Sequence, residues 1–239
     1  METGPKVIDG HSHIGAPPGW MNPDPFLRLL SDAGVGKAIV TRFLEDTLNS
    51  NKHVKKVLER HPERLIGCFW ADPSEAEIEK KLKTGIKEWN FKMVKIHDGM
   101  HKFSEGEAVR VAEGCKELEV PLFAHLEDYS ILDSILESLD LPVILAHLGT
   151  GVYQLHPAKV SKAVERAKTH ENLRLDTSGT TYPLARKAAE EVGPEKLIFG
   201  SDAPHEHPGV ALSMIEYLDL TPQEREMVCH KNLENILQK

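Results

Sequence analysis

The stretch Lys92-Met93-Val94-Lys95-Ile96-His97, followed by Val120-Pro121-Leu122-Phe123-Ala124-His125 and Pro142-Val143-Ile144-Leu145-Ala146-His147, decides how the chain is read. Each run is short, largely apolar, and ends on a histidine. Between the first two lies a helical stripe of Ala108, Val111, Ala112 and Cys115, and between the second and third one of Ile131, Leu132, Ile135, Leu136 and Leu139. Short apolar strands alternating with one-faced helices describe a parallel sheet with crossover helices. The alternation continues outward in both directions, giving expected strands at Lys6–His11, Lys37–Arg42, Leu65–Trp70, Lys92–His97, Val120–His125, Pro142–His147, Asn172–Asp176 and Lys196–Ser201. Units of about 30 residues fill the chain, with no linker rich in Gly, Ser or Pro. The expectation is therefore an α/β chain whose residues 1–239 form a single (β/α)8 TIM barrel domain. Thr221-Pro222-Gln223-Glu224 is a capping box with proline at the first helical position, ahead of a C-terminal helix through Leu237. A doubly wound open sheet is the alternative; it would want a glycine-rich phosphate turn where this chain has His11-Ser12-His13-Ile14-Gly15.

Composition removes several function classes. The 239 residues carry 29 Lys+Arg against 37 Asp+Glu, a formal charge of −8, with 40% hydrophobic residues, as in a soluble globular protein. No window approaches the roughly 18–20 apolar residues that span a bilayer. Met1-Glu2-Thr3-Gly4-Pro5 lacks the basic start of an export signal, so neither membrane nor export is expected. Basic residues cluster no further than pairs such as Lys55-Lys56, so no nucleic-acid partner is expected. Cys68, Cys115 and Cys229 are odd in number and far apart, which suits reduced, core-packed thiols in the cytoplasm.

The chain holds 13 histidines, and their placement points to chemistry. In a closed parallel barrel the C-terminal strand ends share one mouth, so residues there converge however distant in sequence. Strand one ends Asp9-Gly10-His11-Ser12-His13, and its period of two puts both imidazoles on one face. An HxH pair is a weak signal alone, since His205-Glu206-His207 is a second, but only the first ends a strand. With His125, His147 and Asp202 at other strand ends, the set offers the N/O donors that zinc-like ions prefer. His53, His61, His101, His156, His170 and His230 fall in expected helices or loops and are read as surface or capping residues. Arg42, Lys95 and His97 place cationic groups at the mouth, suited to a carboxylate or phosphate on a small-molecule substrate. For Arg42 the plainer alternative is a surface salt bridge. Trp70 is either a wall for the substrate or packing beneath the loops, and His205 either lines the pocket or lies in a solvated loop.

The ordered set Ile8-Asp9-Gly10-His11-Ser12-His13, Val94-Lys95-Ile96-His97, Leu122-Phe123-Ala124-His125, Ile144-Leu145-Ala146-His147-Leu148-Gly149, Leu175-Asp176-Thr177-Ser178-Gly179 and Leu197-Ile198-Phe199-Gly200-Ser201-Asp202-Ala203-Pro204 resembles the metal-dependent amidohydrolase superfamily. The amidohydrolase-related branch is closest. The resemblance spans strand one to strand eight, and Asn232-Leu233-Glu234-Asn235-Ile236-Leu237 extends it. It implies a (β/α)8 barrel with one divalent metal held by His11, His13, His125 and Asp202, zinc first, with manganese, iron and nickel as alternatives. Such an ion lowers the pKa of water to about 7. Asp202 is then both ligand and general base, and His147 polarises the substrate or positions water. Lys95 stands where binuclear members carry a carboxylated lysine, so a second metal remains open. Branch members hydrolyse lactones or amides or decarboxylate small aromatic acids. The expected activity is a metal-dependent hydrolase of a small carboxylated lactone, amide or ester, with a non-oxidative decarboxylase as alternative. A TatD-like nuclease would want an acid at Lys95, and a metal-free lactonase or binding module would keep the histidines without the ion. Branch members usually have longer loops, so this shorter chain implies an open pocket and small substrate, or a homo-oligomer whose neighbour lends a lid.

Overall fold

The strands pair in the order in which they occur. The computed structural model describes residues 7–15, 21–44, 46–151, 154 and 156–238. Met1–Pro5 and the expected first strand residue Lys6 lie outside the described residues. Strands β1 (Val7–His13), β2 (Val35–Thr41), β3 (Leu65–Trp70), β4 (Met93–His97), β5 (Leu122–His125), β6 (Val143–Leu145), β7 (Leu173–Asp176) and β8 (Leu197–Ile198) form one parallel sheet in that order. Helices α1 (Pro23–Asp32), α2 (Thr47–Arg60), α3 (Ile78–Lys83), α4 (Glu105–Leu118), α5 (Tyr129–Ser138), α6 (Pro157–Thr169), α7 (Tyr182–Val192) and α8 (Pro208–Glu216) alternate with the strands. The helical stripes lie inward as the sequence requires, with Ile131, Leu132, Ile135 and Leu136 of α5 and Val160, Ala163, Val164 and Ala167 of α6 all buried. This is the expected (β/α)8 TIM barrel.

Individual backbone bonds close the barrel between β1 and the segment after β8. Gly10 N donates to Phe199 O at 2.9 Å, Asp202 N to His11 O at 2.7 Å, and His13 N to Ala203 O at 2.7 Å. A Cβ on Gly10 would stand 2.7 Å from Ile198 Cγ2, so the seam needs a glycine there.

Alternation sorts side chains between two cores. Leu122 and Ala124 of β5 pack outward under the helices, whereas Phe123 points into the barrel beside Ile8, Ile39, Cys68, Met93, Ile144 and Ile198. The C-terminal helix begins with the Thr221–Glu224 capping box at α9 (Pro222–Glu226), passes through a π-helical turn at Met227–Lys231 and ends as α10 (Asn232–Leu237). Leu233 and Ile236 of α10 join the inner core and plug the barrel. Among the described residues no helix is long and apolar enough to cross a membrane.

Two strand ends depart from expectation. β6 stops at Leu145, and Ala146–Gly149 forms a 3-10 turn in which His147 and Leu148 both take φ of 52°. β8 is only two residues long, so Gly200-Ser201-Asp202 runs beyond it, with Asp202 also left-handed at φ 60°. Bulky residues rarely hold such angles unless their surroundings impose them, and both histidine and aspartate here face the mouth.

Candidate metal centre

A β-bulge makes the His pair face inward. The β1–β2 register shifts between Asp9 and Ser12, so the phase that puts Ile8 in the inner core changes before the histidines. Ser12 then turns to β2, its Oγ donating to Ile39 O at 2.7 Å. His11 Nε2 and His13 Nε2 stand 3.2 Å apart, and Asp202 Oδ1 lies 3.0 Å from His13 Nε2 and 3.5 Å from His11 Nε2. All three residues are buried, and Asp202 Oδ2 is a buried oxygen without a hydrogen-bond partner among the described residues. Burial, and then the charge of Lys95, pushes the His11 pKa down to about 3, and burial holds His13 well below its usual value. Two neutral imidazoles and a carboxylate with an unused oxygen fit a borderline divalent cation.

A network beneath fixes the rings. His11 Nδ1 lies 2.8 Å from Asp176 Oδ2 and 2.9 Å from Ser178 Oγ. A carboxylate accepts, so Nδ1 carries the proton and Nε2 keeps its lone pair for the centre. Asp176 Oδ2 also accepts the backbone N–H of His147 at 3.1 Å and the Ser178 hydroxyl at 2.5 Å. Burial opposes its ionisation, but its interactions with His11, His147 and Ser178 prevail and hold its pKa below the usual carboxylate value. His11, His147 and Asp176 form a second convergent group, but their nearest atoms are already spent on these hydrogen bonds. Asp176 was not singled out from sequence, although it ends the expected seventh strand and the rule applied to the other strand ends reaches it.

Tautomers follow from the partners. His147 Nδ1 stands 3.0 Å from the Ser178 carbonyl, which only accepts, so the neutral ring is protonated there and offers a lone pair at Nε2. It can accept from water, but it donates to a carbonyl only as the imidazolium. His97 is the reverse, because its Nδ1 accepts from Gly99 N–H at 3.0 Å and its neutral ring presents an Nε2–H.

Other candidate residues separate by position. Lys95, fully buried on β4, puts Nζ 2.6 Å from His11 Nε2 and 4.9 Å from the Phe123 ring centroid. His125 lines the same pocket, its ring stacked on His97 at 3.7 Å, but it belongs to neither convergent donor group. His205 is exposed at the rim, and Phe43, which carried no sequence signal, meets the His13 ring edge-on at 4.7 Å. Trp70 is fully buried behind Phe43, donating Nε1–H to Leu44 O, so it packs rather than lines the pocket. Arg42 follows β2 outside the pocket lining, close enough to His53 to contribute to lowering its pKa, and no salt bridge engages it among the described residues. Of the six histidines read as surface or capping residues, His101 and His230 are buried, His101 against Trp70 with Nδ1 3.2 Å from Asp72 Oδ2. The cavity among these groups has a volume of about 40 Å³.

By class, then, the chain is a (β/α)8 barrel with a candidate metal centre at its mouth. Residues 8–237 match the family model described as Amidohydrolase, and the chain belongs to that family. No curated protein matches the sequence significantly. Among solved structures, 5-carboxyvanillate decarboxylase from Sphingomonas paucimobilis superposes with a TM-score of 0.78 at 12% identity, covering 98% of this chain and 99% of that one. The "probable 2-pyrone-4,6-dicarboxylic acid hydrolase" from Acinetobacter baumannii, with citric acid bound, gives 0.78 at 15%, covering 98% and 100%. A dihydroxybenzoic acid decarboxylase from Polaromonas, with manganese and 2-nitroresorcinol bound, gives 0.72 at 17%, covering 98% and 97%. At such identities the likeness is one of fold.

Proposed function

We propose that this chain is a metal-dependent hydrolase that opens a small carboxylated lactone, amide or ester. The observation that carries the reading is the convergence of His11 Nε2, His13 Nε2 and Asp202 Oδ1 within 3.5 Å, beside the unpartnered Asp202 Oδ2. These three residues, with His125 as a further ligand, would hold one divalent ion, zinc first and manganese next. When bound, the ion supplies Lewis acidity and brings the pKa of water to about 7. Asp202 Oδ2 is the free acceptor for a water proton and returns it to the leaving group. His147 Nε2 positions water by accepting from it, while His97 Nε2–H and the Lys95 ammonium favour an anionic substrate. Phe43 and His205 line the same pocket and would flank a substrate beside the centre. The buried, free thiols fit the same proposal of a cytoplasmic enzyme.

A second reading, non-oxidative decarboxylation, is favoured by the decarboxylases among the structural neighbours, one of them with manganese. The substrate carboxylate would leave as CO2 and Asp202 would deliver the replacing proton to carbon. Metal-loaded protein incubated with 2-pyrone-4,6-dicarboxylate, 5-carboxyvanillate and 2,6-dihydroxybenzoate separates the two. Ring opening of the pyrone supports hydrolysis, CO2 from the aromatic acids supports the second reading, and no turnover of any of them counts against carboxylated rings as the substrate class.

A further inference from the structure

Asp9 is fully buried on β1, and none of the roles above uses it. Its Oδ1 accepts the backbone N–H of His11 at 3.1 Å and that of Ser201 at 2.9 Å, while Ser201 Oγ donates to its Oδ2. Ser201 Oγ in turn accepts the N–H of Ala203 at 3.0 Å. The residue between Ser201 and Ala203 is Asp202, held at φ 60°. One carboxylate thus grips the backbone of His11 on one side and, directly and through a hydroxyl, the peptides flanking Asp202 on the other. It does so at the seam, where a single bridge between Ser12 and Ala203 replaces the regular ladders that join the other strands. A carboxylate removed from water is costly unless its hydrogen bonds offset the loss.

We infer that Asp9 is a positioning residue for the metal centre: acting with Ser201, it fixes the separation between the His11/His13 pair and Asp202 and thereby sets the affinity for a divalent ion. The inference rests on the reading that those three residues hold the ion. A carboxylate that only stabilised the fold would change the melting temperature and leave ion affinity alone.

The test titrates Zn2+ into metal-stripped protein against a competing chelator, with the melting temperature of each metal-free sample measured alongside. Asp9→Ala is expected to weaken zinc binding by about 10–100-fold, the usual effect of losing a group that orients metal ligands. Ser201→Ala, which removes only the hydroxyl bridge, weakens it in the same direction. Asp9→Asn keeps an oxygen for both N–H groups and restores most of the affinity. Leu132→Ala, in the outer core under α5, serves as the control, with a lower melting temperature and unchanged affinity. Wild-type affinity in Asp9→Ala and Ser201→Ala, with melting temperatures lowered as in the control, would overturn the inference. If Asp9→Ala does not fold, Ser201→Ala decides alone. A wild-type chain that binds neither zinc nor manganese overturns the metal reading and this inference together, whereas a binding wild type with equally binding variants overturns only the inference.

Discussion

Lys95 Nζ lies 2.6 Å from His11 Nε2, the nitrogen that faces His13 and Asp202. That nitrogen has one lone pair, so the ammonium and a metal ion are alternative partners for it. Burial pushes the Lys95 pKa down to about 8, with Asp202, Cys68 and Asp176 opposing the shift. The lysine is thus placed to compete with an ion for that nitrogen or, were the site binuclear, to bridge two ions.

Replacing it decides between these roles. Lys95→Met is expected to bind one ion per chain more tightly than wild type, on the order of tenfold or about 1.4 kcal/mol, by chelator competition. A fall from two ions to one by elemental analysis would instead assign Lys95 to a metal bridge.

Asp176 holds His11 in the tautomer that leaves Nε2 free. Asp176→Ala is expected to cost about 10–100-fold in zinc affinity. Unchanged affinity would mean that Ser178 alone orients the ring.

Gly200 has no room for a side chain, since a Cβ there would stand 2.1 Å from Asp176 Oδ1 and 2.8 Å from His11 Cβ. Gly200→Ala is expected to destabilise the chain by about 1–3 kcal/mol in denaturant unfolding and to lower ion affinity. Gly106→Ala, on α4 with open space around it, should act oppositely and stabilise by about 0.5–1 kcal/mol. Equal effects of the two would contradict the packing argument.

The barrel was legible because burial imposes periodicity, and Leu65–Trp70 is a strand with the expected limits. The convergence of His11, His13 and Asp202 was legible because a parallel barrel gathers strand ends. What stayed hidden depends on local backbone. The bulge between Asp9 and Ser12 changes which side chains of β1 face inward, and the left-handed turn at His147 sets where its ring points. Neither leaves a period in the sequence. Whether Trp70 packs or lines the pocket was not legible, since it ends a strand and only the fold puts it behind Phe43.

The buried imidazoles give the metal-free chain an acid limit. Burial brings His11 and His97 down to about 3 and holds His13 and His125 well below their ordinary values. Between about 6.5 and about 3 the unfolded state binds protons that the folded state does not, so stability falls as pH falls. Each imidazole contributes at most about 1.4 kcal/mol per pH unit. The melting temperature of metal-free protein should therefore change little from pH 7.5 to 6.5 and fall steadily below about 6.5, with Asp9, raised to about 7 by burial, offsetting part of the fall; a flat profile below about 6.5 would contradict the burial of neutral rings.

Elemental analysis of purified wild type and His11→Ala, after reconstitution with zinc or manganese, counts the ions held at His11, His13 and Asp202. About one ion per wild-type chain, absent from His11→Ala, is the predicted result. No ion in the wild type, or equal content in the two proteins, would contradict a metal centre built on His11, His13 and Asp202.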